Sequence, residues 1–221
     1  MMATTQRRTV MVSLCAVALL AVAGCGGGGT TSSASSPSTT VASSAESQTY
    51  SSKAFLVPLT VTVDPALKSP PAADSSHFLT WLASEPPVRA VRFLVPVVVF
   101  PAGKETPQAP PKEYLKYLMA QAKGGALFTN VTKTTVDGHP ATLMDAIGTA
   151  PEGFLSGLLG CPKRVSNKHK DCFGLQPGYV LRLAVIDVGD TTLLTWAAAP
   201  GARDEEFFAM YERMLQSVRF R

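Results

Sequence analysis

Hydrophobic residues change their period several times along the chain, and each change marks an element. The run from Val10 to Leu20 is apolar without alternation and gives way at Gly24-Cys25 to glycine and serine. It stops short of the about 20 apolar residues that a spanning helix requires. From Gly26 to about Ser52 no period exists, only Gly, Thr, Ser and Ala with one proline, Pro37. Phe55, Val57, Leu59, Val61 and Val63 then recur at period two, which predicts a strand, placed at a sheet edge by Pro58. Phe78, Leu79, Trp81 and Leu82 fall in a short connection, helical or extended, before Glu85-Pro86-Pro87. The next strand runs from about Val88 to Phe100. Its second half is apolar on both faces, which places it centrally, while Pro96 demands a bulge or an edge.

Beyond the proline-rich loop 101–111 the period becomes helical. Tyr114, Leu115, Leu118, Met119 and Ala122 share a face, Pro110 and Pro111 suit the helix start, and Gly124-Gly125 supplies the stop. Leu127–Val136 and His139–Thr149 read as a hairpin about Asp137-Gly138, and Tyr179–Val188 with Thr191–Ala198 as another about Gly189-Asp190. A helix from Asp204 to Ser217 closes the chain. Its stripe is Phe207, Phe208, Tyr211, Met214 and Leu215, with acidic residues at its positive end. The order predicts an α+β fold: a mostly antiparallel sheet of about six strands flanked by two main helices, occupying 53–221 as one domain.

The opening strand, the two hairpins and the closing Met214-Leu215-Gln216-Ser217-Val218-Arg219-Phe220 resemble lipoproteins of actinobacteria with the PsbP-like α/β/α sandwich fold. Leu94-Val95-Pro96-Val97, Cys161 with Cys172-Phe173-Gly174, and Leu181-Arg182-Leu183-Ala184-Val185 are similar to an uncharacterised set of such lipoproteins, a resemblance that implies no activity.

The amino terminus supplies an address. Arg7 and Arg8 precede the apolar run and small residues precede Cys25, the layout of a segment removed on export. Val22-Ala23-Gly24-Cys25 resemble the bacterial lipobox, which implies a signal peptide over 1–24 and a diacylated Cys25 thiol. An ordinary secretory peptide with a coincidental cysteine is the competing reading. Each buried methylene contributes about 0.8 kcal/mol, so two or three acyl chains on Cys25 hold the protein on the membrane, at its extracytoplasmic face. Residues 25–52 then form a Ser/Thr/Gly-rich disordered tether of roughly 25–30 Å, a candidate for O-glycosylation or a plain spacer.

Composition changes this picture little. The formal charge of +4 falls to +2 without Arg7 and Arg8, and no clustered basic face points to nucleic acid. The mean hydropathy of +0.15 includes the apolar leader and does not argue for an integral membrane protein. Cys15 leaves with the leader and Cys25 is acylated, so Cys161 and Cys172 remain, and in an exported protein an even pair reads as a disulfide.

Candidate chemistry centres on the connection 150–178, longer than the about 12–15 residues usual for an unstructured loop. Its apolar half holds Phe154, Leu155 and Leu158, and its basic half Lys163, Arg164, Lys168, His169 and Lys170. It reads either as a recognition surface for an apolar or anionic partner or as a stapled loop that covers one end of the core. Zinc at Cys161, His169 and Cys172 has too few ligands and no common finger spacing. Gly153-Phe154-Leu155-Ser156-Gly157 has its serine one position off the nucleophile elbow. His77, His139 and His169 read as surface histidines, and paired carboxylates or a phosphate cradle do not appear. Trp81, Trp196 and the phenylalanines either line a pocket for a lipid-like ligand or pack as core.

The expectation is a lipid-anchored protein of the cell membrane, not an enzyme and without a cofactor. It would bind a small or lipid-like ligand or dock an envelope protein. An accessory or regulatory subunit of an envelope complex, or an unrecognised enzyme, are the alternatives.

Overall fold

The computed structural model describes residues 46–151 and 153–221. The signal peptide, Cys25 and the tether as far as residue 45 lie outside the described residues. The elements are β1 Gln48–Ser51, β2 Leu59–Val63, β3 Ala73–Asp74, β4 Phe78–Leu82, β5 Ala90–Leu94, α1 Tyr114–Ala120, β6 Ala126–Val136, β7 His139–Gly148, α2 Lys168–Asp171, β8 Tyr179–Val188, β9 Thr191–Pro200, α3 Glu205–Gln216 and β10 Arg219–Phe220. They form an α+β fold with two antiparallel sheets, one of seven strands in the order β3-β4-β5-β9-β8-β7-β6 and one of three in the order β1-β2-β10.

The main sheet therefore has seven strands where about six were expected. Phe78–Leu82 is a strand, β4, paired with β5 along its whole length. Leu79, Thr80 and Trp81 are buried in succession, so the alternation that would have announced it is lost. β5 ends at Leu94, so Pro96 lies beyond the ladder and costs it no hydrogen bond. β2 is the middle of the small sheet and not an edge. Pro58 precedes it, and polar β1 and two-residue β10 flank it. β1 falls in the expected tether, so the described fold begins at Gln48 and not at residue 53.

Both hairpins form as the turn chemistry requires. Asp137 and Gly138 take φ of 49° and 81°, the positive pair that matches the twist of flanking strands. Val188 faces Thr191 across the other turn.

The main sheet separates two cores. On one face α3 and β2 pack Phe207, Phe208, Tyr211, Leu59 and Val61 against Trp81, Val91, Phe93 and Ile186. Asp204 caps α3, its side chain accepting the Phe207 N–H at 3.0 Å. On the other face α1 and the connection 150–178 pack Tyr114, Leu118, Leu155, Leu158 and Leu159 against Met144, Leu183, Leu194 and Trp196. A disulfide joins Cys161 to Cys172, as their pairing in the sequence predicted.

Candidate functional site

The connection 150–178 wraps the second face, and its contacts decide which side chains remain available. The Tyr114 and Tyr117 hydroxyls donate to the carbonyls of Leu159 and Leu158, each at 3.1 Å. Burial pushes both phenols up. Leu159 N–H donates to the Phe173 carbonyl and Phe173 N–H to the Gly160 carbonyl, both at 2.9 Å, directly beside the disulfide. Gly174 allows this closeness: a Cβ there would lie 2.0 Å from the Leu155 carbonyl oxygen, well inside contact distance.

Pinned in this way, Phe173 reaches the sheet. Its ring stacks on Phe78 at 4.5 Å and meets Trp196 edge-on at 5.4 Å. Arg92 extends from β5 over the same ring, 5.9 Å from its centroid. Between these side chains and the chain at 169–176 lies a cleft of about 290 Å³. Its origin is legible in the register: Arg92 pairs with Trp196, while the adjacent row pairs Ala90 with Ala198. Two alanines beside two long side chains leave space that the loop roofs without filling.

The lining is one-signed. Arg92 and Lys170 bring positive charge, His169, Gln176 and Tyr179 bring hydrogen-bonding groups, and no Asp or Glu is among the described lining residues. The nearest acidic residue in sequence, Asp171, pairs with Lys163 at 3.1 Å. Among the described residues Arg92 makes no ion pair or side-chain hydrogen bond. Burial holds its guanidinium below the ordinary arginine value, with Tyr179 opposing the shift. Beside it across β4–β5 sits Thr80, buried, its hydroxyl likewise without a partner. Three larger grooves, about 640, 870 and 360 Å³, mix signs: Lys112 and Lys133 with Glu113 and Asp187 in the first, Lys112 with Asp187 and Asp190 in the second, Arg213 with Glu212 in the third.

The seven loop residues singled out in the sequence do not converge. Leu155 and Leu158 are core. Lys168 is 2% exposed, its Nζ donating to the Lys104 carbonyl at 2.9 Å and pairing with Glu105 at 2.7 Å. Lys163 is engaged by Asp171, Arg164 is exposed, and Phe154 is 46% exposed against Gly103. Lys170 alone reaches the cleft. The residues that the sequence reading missed are Arg92, Phe173 and Tyr179, and a lone arginine inside an apolar strand was the available signal. His77 and His139 are half-buried, their Nδ1 atoms against the carbonyls of Val95 and Asp187. Cys161 and Cys172 spend their sulfurs on each other, and among the described residues no three metal-ligating side chains converge. Trp81 lies in the α3-side core, whereas Trp196 borders the cleft.

The fold is α+β with antiparallel sheets, and solved structures match it only at a distance. The Ran-binding protein Mog1p of Saccharomyces cerevisiae matches 79% of this chain and 96% of its own at 8% identity and a TM-score of 0.44. A Mog1 mutant matches 78% and 95% at 12% identity and a TM-score of 0.41. No family model matches the chain, and no curated protein matches it. These findings correct the expected resemblance to PsbP-like lipoproteins: two of the solved structures that match are Mog1 proteins, and nothing in the comparisons points to a PsbP-like or lipoprotein family. Likeness this weak carries neither activity nor partner to this chain.

Proposed function

We propose that the protein is a lipoprotein held through Cys25 at the extracytoplasmic face of the cell membrane, where its α+β domain binds a small ligand without transforming it. The leader supports the anchor: Arg7 and Arg8, a short apolar run and Val22-Ala23-Gly24-Cys25 in register. Among the described residues no helix is long and apolar enough to cross a membrane.

One observation carries the binding role, the 290 Å³ cleft between the disulfide-closed loop and the sheet. It combines an apolar floor with convergent polar groups, the usual make-up of a ligand site. The cysteine that borders the cleft is bonded to Cys161 and is no free nucleophile, which supports reading the site as a binding one. Native mass spectrometry of protein purified from its own envelope should show a retained small molecule, absent from Ala198→Leu, whose longer side chain fills the cleft. Protein that carries no adduct, and whose spectrum Ala198→Leu leaves unchanged, would refute the binding role. Separately, Cys25→Ser should leave processed protein out of the membrane fraction.

A further inference from the structure

Small-ligand binding in the cleft leaves the class of ligand open, and the geometry narrows it. Arg92 is a half-buried cation that faces the Phe173 ring and the cleft, with no carboxylate on it among the described residues. Elsewhere among the described residues the buried or half-buried lysines and arginines are matched. Arg182 holds Asp145 and Glu212, Arg203 holds Asp145 and Glu205, Arg89 holds Asp204 and Lys168 holds Glu105. A cation partly withdrawn from water in a folded protein is ordinarily paired, so Arg92 is the exception among the half-buried cations described.

Resting on the ligand-binding reading above, we infer that the cleft takes a small planar carboxylate, its anion on the Arg92 guanidinium and its flat body against Phe173, Tyr179 and Trp196. The guanidinium presents parallel N–H donors that match the two oxygens of a carboxylate. Lys170 and His169, from α2, add cationic or donor groups at the rim, and Gln176 adds a neutral one. The size fits: the cleft has the volume of about ten waters at ~30 Å³ each, room for one or two fused rings. Ala90 and Ala198 provide a floor without branches, against which a flat group can lie. Binding would place an acceptor beside the Arg92 donors, which have no protein partner among the described residues.

The test titrates the mature chain with benzoate, with its neutral counterpart benzamide, with cyclohexanecarboxylate and with inorganic phosphate, followed by calorimetry and by tryptophan fluorescence. Benzoate should bind at least tenfold tighter than each of the other three. Arg92→Met should erase the preference for benzoate over benzamide, and Arg92→Lys, which keeps the charge but not the fork, should weaken benzoate at least fivefold. Ala198→Leu, which leaves Arg92 untouched, should block every probe, and near-ultraviolet circular dichroism establishes that each variant is folded. Equal binding of benzoate and benzamide that Ala198→Leu removes would overturn the anion assignment and leave the ligand-binding reading standing. Phosphate binding as tightly as benzoate would overturn the planar assignment, and benzoate binding that survives Ala198→Leu would overturn the location. Should none of the probes bind while native spectra still show an adduct lost in Ala198→Leu, the planar carboxylate is wrong and the cleft is not.

Discussion

Arg182 and Arg92 leave opposite faces of the same sheet, and the protein treats them differently. Arg182, 7% exposed on β8, faces Asp145 on β7 in direct register and donates to it at 3.0 Å and to Glu212 of α3 at 2.8 Å. Asp145 also accepts from Asn130 at 2.6 Å and from Arg203, whose pairing with Glu205 and Asp145 raises its own pKa despite partial burial. That cluster fastens α3 to the sheet. Arg92, on the loop-covered face, has an aromatic ring where Arg182 has carboxylates. The same residue type is thus a structural pin on one side and an open valence on the other, and each assignment predicts a different response to mutation.

The largest effect should come from breaking the pin. Asp145→Ala takes from Arg182 and Arg203 the buried carboxylate they share and leaves each with one more exposed partner, Glu212 or Glu205; removing one partner of a buried pair costs up to about 3–5 kcal/mol. Urea unfolding should show a lower midpoint at unchanged slope. A loss below about 1 kcal/mol would mean that the Arg182 cluster is no more structural than Arg92, and the contrast between the faces would fail.

Next in size is the roof of the cleft. Leu158 is fully buried under α1, and Leu158→Ala should cost about 3 kcal/mol through lost transfer energy and the cavity left behind. Cys161→Ser with Cys172→Ser should cost up to about 3 kcal/mol by the chain-entropy estimate. The double serine variant separates the faces more sharply. It should change tryptophan fluorescence, because Phe173 is held on Trp196 by the chain at 160–173. The Asp145 cluster should stay intact, read as an unchanged effect of Asp145→Ala in the new background. Coupling above about 1 kcal/mol would show that the two faces are not independent.

How much of this was legible beforehand follows the same division. Hairpins announced themselves because Asp137-Gly138 and Gly189-Asp190 are local signals whose φ demands are set by neighbouring residues alone. The closing helix showed its stripe, and the two cysteines their bond. What stayed hidden was set by contacts distant in sequence: β10 completes a sheet with residues more than a hundred positions earlier, and β4 is masked by burial on both faces. The cleft was hidden most completely. Its wall joins Arg92, Phe173 and Trp196 from three separate segments, and its space comes from two alanines opposed by register, which no single window contains. The basic half of the loop drew attention by its density of charge, yet Lys163 and Lys168 prove to be tied to Asp171 and Glu105.

The smallest expected effect is the most discriminating. Arg92→Met keeps an unbranched chain of similar reach over Phe173 and removes a half-buried charge that no carboxylate pairs among the described residues. Taking out an unpaired cation leaves no orphaned partner, in contrast to Asp145→Ala, and apolar replacements of buried charges are often neutral or stabilising. Methionine also keeps a favourable sulfur–aromatic contact. The midpoint of urea unfolding should therefore move by less than about 1 kcal/mol in either direction. A loss above about 2 kcal/mol would show that Arg92 supports the packing of Phe173 on the sheet, and the unpaired guanidinium would be part of the fold.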